Sequence, residues 1–155
     1  MDRYKENRFV VILLGEDDPA DQELIRRALK DSSLNHELNI LNDGEEVLNY
    51  LFRNGKYKDL KKYRNPDIIV LDLNMPKFDG VEILEQISKD PLLKVIPSVI
   101  LTTSNEKRDV LKCYELGANS YITKPSDLGQ LIKTVKLFED YWFSTVSLPD
   151  VRRSR

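Results

Sequence analysis

From Phe9 to Leu14 every residue is apolar, and the run stops at Gly15 and the acids Glu16, Asp17 and Asp18. Continuous rather than alternating apolar character predicts a strand buried on both faces. Asp18 then stands where a helix cap belongs, Pro19 suits a first helical position, and Leu24, Ile25, Ala28 and Leu29 follow at helical spacing. The same phrase recurs down the chain. Leu38, Ile40 and Leu41 predict a short strand ending at Asn42-Asp43-Gly44, followed by a helical stripe of Val47, Leu48, Leu51 and Phe52. Ile68 to Leu71 predicts a strand ending at Asp72, with Val81, Ile83, Leu84 and Ile87 as the next helix. Val99 to Leu101 ends in Thr102-Thr103-Ser104. Val110, Leu111, Tyr114 and Leu116 then give a helix stopped by Gly117. Tyr121-Ile122 is a last short strand ending at Lys124-Pro125. A final long helix carries Leu128, Leu131, Ile132, Val135 and Phe138.

Five strand–helix units in alternation predict an α/β fold: a doubly wound five-stranded parallel sheet with five helices on its two faces. Residues 55–65 (GKYKDLKKYRN) lengthen one connection beyond the usual few residues. The chain of 155 residues suits one domain, expected to fill 1–155 with a core at 8–145, tails at 1–7 and 146–155, and no output domain.

Composition narrows the class. Charged residues are 32% and hydrophobic ones 41%, with 24 basic against 26 acidic side chains and a formal net charge of −2. That balance lacks the basic excess of a nucleic-acid binder, so no nucleic-acid partner is expected. Cys113 stands alone, which excludes an internal disulfide and a cysteine zinc cluster and suits a reducing, cytoplasmic setting. The first apolar run is too short to span a bilayer and is followed at once by acids, so neither membrane span nor signal peptide is expected.

Chemistry is expected where the strands end, because open parallel sheets bind ligands outside their carboxyl ends. The first strand delivers Glu16, Asp17 and Asp18, the third Asp72, the fourth Thr102 and the fifth Lys124. Each residue alone has a plain structural reading: a cap, a turn former, a strand-end hydroxyl, a solvated lysine. Together they form an acid cluster, a hydroxyl and a lysine on one edge. Clustered carboxylates repel one another and raise each other's pKa unless a cation intervenes. All-oxygen donors with room for water favour Mg²⁺. Asp is a covalent nucleophile toward phosphorus, and Lys124 and Thr102 supply donors for phosphoryl oxygens.

The segments ILLGEDDP, DIIVLDLNMPKFDG, VILTTS and GANSYITKP resemble those of the receiver domain of two-component response regulators, over roughly residues 8–145. The resemblance implies a flavodoxin-like receiver fold with Asp72 as phosphoacceptor. It also implies Mg²⁺ held by Asp17 directly, by Glu16 through water, by Asp72 and by the carbonyl of Asn74. Thr102 becomes the switch hydroxyl, Lys124 the phosphate-pairing lysine, and Tyr121 the aromatic that turns inward on activation. The family implies a cis Lys124–Pro125 bond and places Asn74 and Ser104 where loss of the phosphoryl group is tuned. Gly15 departs from the family's bulky aliphatic residue, which suggests looser packing behind Asp17. A histidine kinase is the implied donor. His36, the chain's sole histidine, is read as a surface residue between the first helix and the second strand.

Leu137, Tyr141 and Trp142 lie off the core stripe of the last helix and suggest a dimer or partner contact, the alternative being that they cover the sheet edge of their own chain. This tail, the 55–65 insertion and the closing SLPD resemble the stand-alone receivers that serve bacterial phytochrome kinases, which implies a light-sensing kinase partner and a homodimer through the last helix. The cations Lys56, Lys58, Lys61, Lys62 and Arg64 are read either as a solvated face or as a match for an acidic kinase surface. Two other readings stay open. An aspartate-nucleophile phosphohydrolase of the haloacid dehalogenase type requires a second Asp where this chain has Asn74. A degenerate, phosphorylation-independent receiver is opposed by the intact set of Glu16, Asp17, Asp72, Thr102 and Lys124.

Overall fold

A computed structural model describes residues 9–32 and 34–150. The five apolar runs become strands β1 (Val10–Gly15), β2 (His36–Leu41), β3 (Ile68–Leu71), β4 (Ser98–Thr102) and β5 (Ser120–Thr123). They form one parallel sheet in the order β2-β1-β3-β4-β5, with Gly15 opposite both Leu41 and Leu71. The central strands β1, β3 and β4 are buried throughout, as continuous apolar runs require. The intervening helices are α1 (Pro19–Lys30), α2 (Gly44–Leu51), α3 (Gly80–Lys89), α4 (Lys107–Glu115) and α5 (Leu128–Glu139). Their starts are written in the sequence. Asp18, Asp43, Asp79 and Asp127 each accept a hydrogen bond from a first-turn backbone N–H. At α3, Glu82 reaches back to the backbone N–H of Asp79 and completes a capping box. Gly117, at φ +99°, follows the end of α4 in the left-handed conformation expected of it.

The two faces of the sheet bury separate apolar clusters. One joins Leu13, Ile69, Leu71 and Ile100 to α2 and α3; the other joins Ile12, Leu14, Val70 and Val99 to α1 and α5. Alternate strand residues point to opposite faces, so each strand feeds both clusters.

Three expectations about packing are corrected. In α4 the buried residue is Cys113, while Leu111 and Tyr114 face solvent. In α5 the core stripe is Leu131 and Val135, and Ile132 is 40% exposed; one residue turns the helix by about 100°, which carries Ile132 off the buried side. Leu128, also placed on that stripe, is exposed. Nor is there looseness at Gly15. A Cβ there would lie 3.0 Å from Val47 Cγ2 and 3.2 Å from Met75 Sδ, so neighbouring side chains already fill the space that a larger residue would use.

After α5 the chain makes a π-helical turn, Asp140–Thr145, which buries Phe143 against the α1/α5 cluster. Leu148 packs on the same cluster, so the segment expected as a tail from 146 is partly docked. The expected tail at 1–7 lies outside the described residues, as do residues 151–155. Among the described residues no helix is long and apolar enough to cross a membrane.

Candidate functional site

Each β-strand stops at the same edge of the sheet, and the turns that follow carry the polar residues. Glu16 directly follows β1, Asp72 follows β3, Thr102 closes β4 and Lys124 follows β5. The strands before Glu16 and Asp72 and the one that Thr102 closes are buried throughout, and all four side chains are themselves buried. They meet. Asp72 Oδ1 accepts from Thr102 Oγ1 at 2.8 Å and from the backbone N–H of Asn74 at 3.1 Å. Asp72 Oδ2 accepts from Lys124 Nζ at 2.8 Å. Lys124 Nζ also bonds Glu16 Oε1 and, at 2.8 Å, Asp21 Oδ2. One ammonium therefore faces three carboxylates, each of its protons directed at a different acid.

The electrostatics follow from burial. Glu16 is pushed up to about 7, first by loss of solvent and further by the Asp72 charge, against the opposing pull of Lys124. For Lys124, burial alone lowers the pKa, but hydrogen bonds to Asp21, Asp72 and Glu16 more than reverse it, so the lysine stays charged. Carboxylate atoms of Glu16, Asp17 and Asp72 all lie within 4.8 Å of one another, with Asp17 exposed at the mouth. Three hard oxygen donors, one open to water, and a buried acid pushed toward neutrality fit a divalent cation that keeps part of its water shell.

Asp21 is the one residue of the cluster that the sequence reading missed. An acid in the first turn of a helix reads as a response to the helix dipole, and only the fold brings it beside Lys124. Gln22, from the same turn, bonds the Glu16 carbonyl and Asn42 Oδ1, which ties the β1 loop to the β2 loop. Tyr121 lies beside the site rather than in it. Its ring is half-buried against the α2/α3 cluster, and its hydroxyl donates to the Ser104 carbonyl at 2.9 Å. Lys124–Pro125 is not the expected cis bond: no peptide bond among the described residues is cis. Trans is the lower-energy form of an X–Pro bond by about 0.5–1 kcal/mol.

The residues proposed for a partner contact divide. Leu137 and Tyr141 are 70% and 52% exposed. Trp142 instead packs on its own chain's cluster and meets the Tyr141 ring edge-on at 5.1 Å. His36 is the first residue of β2 rather than a residue before it, and it is half-buried with its ring 5.7 Å from that of Phe143.

Residues 12–136 match the family model described as the response regulator receiver domain. The chain belongs to that family. It is 46% identical over 139 residues to the response regulator Rcp1 of Synechocystis sp., covering 90% of this chain and 92% of that one. A crystal structure of the Mn²⁺-bound form of Rcp1 superposes with a TM-score of 0.85 at 46% identity, covering 90% of this chain and 99% of the crystallised one. That of the phosphorylated cyanobacterial phytochrome response regulator RcpA superposes at 0.88 with 44% identity, covering 92% and 100%. The receiver therefore has a signalling fold, as its segments suggested, and a hard-cation site at the carboxyl edge accords with the metal in its relative.

Proposed function

We propose that this receiver takes a phosphoryl group from a histidine kinase onto Asp72. The observation that carries the proposal is the double clamp on the Asp72 carboxylate, with Thr102 on one oxygen and Lys124 on the other. Asp72 attacks phosphorus, the phosphorus–nitrogen bond of the donor phosphohistidine breaks, and its electron pair stays on the imidazole nitrogen. Lys124 and Thr102 then follow the negative charge from the carboxylate to the new phosphoryl oxygens. Asp17, Asp72 and the Asn74 carbonyl would hold Mg²⁺ directly and Glu16 through water. Bound there, the ion supplies positive charge to the incoming phosphoryl group. Asn74 has no carboxyl proton to give, which disfavours a hydrolase of repeated turnover. The chain thus catalyses only its own phosphorylation and dephosphorylation.

Movement of Thr102 toward the phosphoryl oxygens would reset the space beside Tyr121 and bias a surface made by α4, β5 and α5, where Leu111, Tyr114 and Ile132 already face solvent. Similarity to RcpA, a phytochrome response regulator, supports a phytochrome-type kinase as the partner. Exposed Leu137 and Tyr141, braced by Trp142, support a homodimer through α5 and the π-helical turn that follows it.

Incubation with Mg²⁺ and a small phosphodonor tests the core of the proposal. Intact mass should rise by one phosphoryl group, and Asp72→Asn should abolish the rise; an unchanged wild-type mass refutes it. Sedimentation of Leu137→Ala/Tyr141→Ala should show a weakened dimer, and an unaltered wild-type monomer rules the dimer out.

A further inference from the structure

Between α2 and β3 the chain carries six basic residues (Arg53, Lys56, Lys58, Lys61, Lys62 and Arg64) against two acids, Asp59 and the buried Asp67, although the whole chain is net negative. This stretch is built rather than loose. Tyr57 is buried, and the rings of Tyr50, Tyr57 and Tyr63 pack on one another at 4.8–5.9 Å. The Tyr50 hydroxyl donates to the Arg64 carbonyl, and the Arg53 guanidinium donates to the carbonyls of Tyr57 and Tyr63 and to Asn65 Oδ1. Asp59 Oδ1 accepts from the backbone N–H groups of Lys61 and Lys62 and so shapes the turn, while Asp67 is buried and accepts from the backbone N–H of Val11. Lys56, Lys58, Lys61, Lys62 and Arg64 are exposed, and among the described residues none of them forms an ion pair within 4 Å. Leu60 stands among them, 47% exposed.

We propose that this lobe is a docking surface for an acidic protein segment, with Leu60 as its apolar anchor. Five exposed cations, of which Lys56, Lys62 and Arg64 lie over aromatic rings, surround one desolvatable side chain on a braced backbone and match alternating acids and apolar groups. Nucleic acid is a poorer fit, because single strands are held by stacking on presented aromatic faces and these tyrosines are turned inward. A membrane is poorer too, because one leucine is a weak anchor for a bilayer surface. The occupant lies on the outer face of the lobe, since the groove between the tyrosines and β2 contains Glu46. The lobe acts independently of phosphotransfer.

The test is fluorescence anisotropy of a labelled Glu-rich peptide bearing one Leu, beside its Gln counterpart, a labelled oligothymidine and vesicles of phosphatidylcholine with phosphatidylserine. Wild type should bind the Glu peptide in preference to all three others, and salt should weaken the binding. Lys58→Gln/Lys61→Gln/Lys62→Gln should lose about tenfold in affinity, the corresponding triple Arg variant should retain it, and phosphorylation by a small donor should be unchanged in both. Equal or absent binding of the Glu and Gln peptides overturns the proposal. So does tighter binding of the oligonucleotide or the vesicles, which would assign the lobe to that class instead.

Discussion

Two regions of this receiver concentrate charge, and they handle it in opposite ways. At the carboxyl edge of the sheet Lys124 is buried and shared among Glu16, Asp21 and Asp72. Beside α2 the lysines of the 55–65 connection stand in water while uncharged tyrosines are buried beneath them. Burying an ion costs several kcal/mol unless partners replace its water. A fold keeps such a cluster where the charges do chemistry, and their removal is felt both in stability and in reactivity. Exposed charges cost the fold almost nothing and contribute little to it. They are free to be read by another molecule.

The largest expected effect comes from breaking the buried side. Lys124→Met leaves three carboxylates facing one another and should cost on the order of 3 kcal/mol in urea denaturation, with part of the loss recovered on adding Mg²⁺. Next comes the packing that supports the cluster. Gly15→Val should destabilise by about 1–3 kcal/mol because Val47, Leu71 and Met75 already occupy the space. The added mutation Met75→Ala should recover part of that loss, and simple additivity of the two changes would show that they do not share the space. In the second region, Tyr50→Phe removes the bond to the Arg64 carbonyl and should cost about 1 kcal/mol. Smallest is Lys61→Gln, expected within about 0.5 kcal/mol of wild type by the same denaturation measurement. A loss there comparable to that of Lys124→Met would erase the contrast between the two regions.

The contrast also separates what the sequence reveals from what it hides. Strands β1, β3 and β4 are legible because a strand buried on both faces must be apolar throughout, and the start of α1 because Asp18 stands before Pro19 as a cap. Glu16, Asp17, Asp72, Thr102 and Lys124 are legible because strand ends in a parallel sheet share one edge. Asp21 is not, since nothing in a helix's first turn says which distant lysine it faces. Ile132, Leu111 and Tyr114 mislead because one residue of helix phase divides core from solvent, and an apolar residue at the surface costs the fold little. The tyrosine packing under the basic lobe is hidden for another reason. GKYKDLKKYRN reads as a polar connection until its two tyrosines are seen to meet Tyr50 on α2.

On the proposed function, the company at the strand ends makes Asp72, and no other side chain, the phosphoacceptor. Borohydride reduction of the protein after treatment with Mg²⁺ and a small phosphodonor, followed by peptide mapping, tests this directly, because reduction converts an acyl phosphate on Asp to homoserine. Homoserine at position 72 alone is the predicted result; conversion at Asp17, Asp18 or Asp21, or a phosphoryl group on His36 with Asp72 intact, would contradict the account.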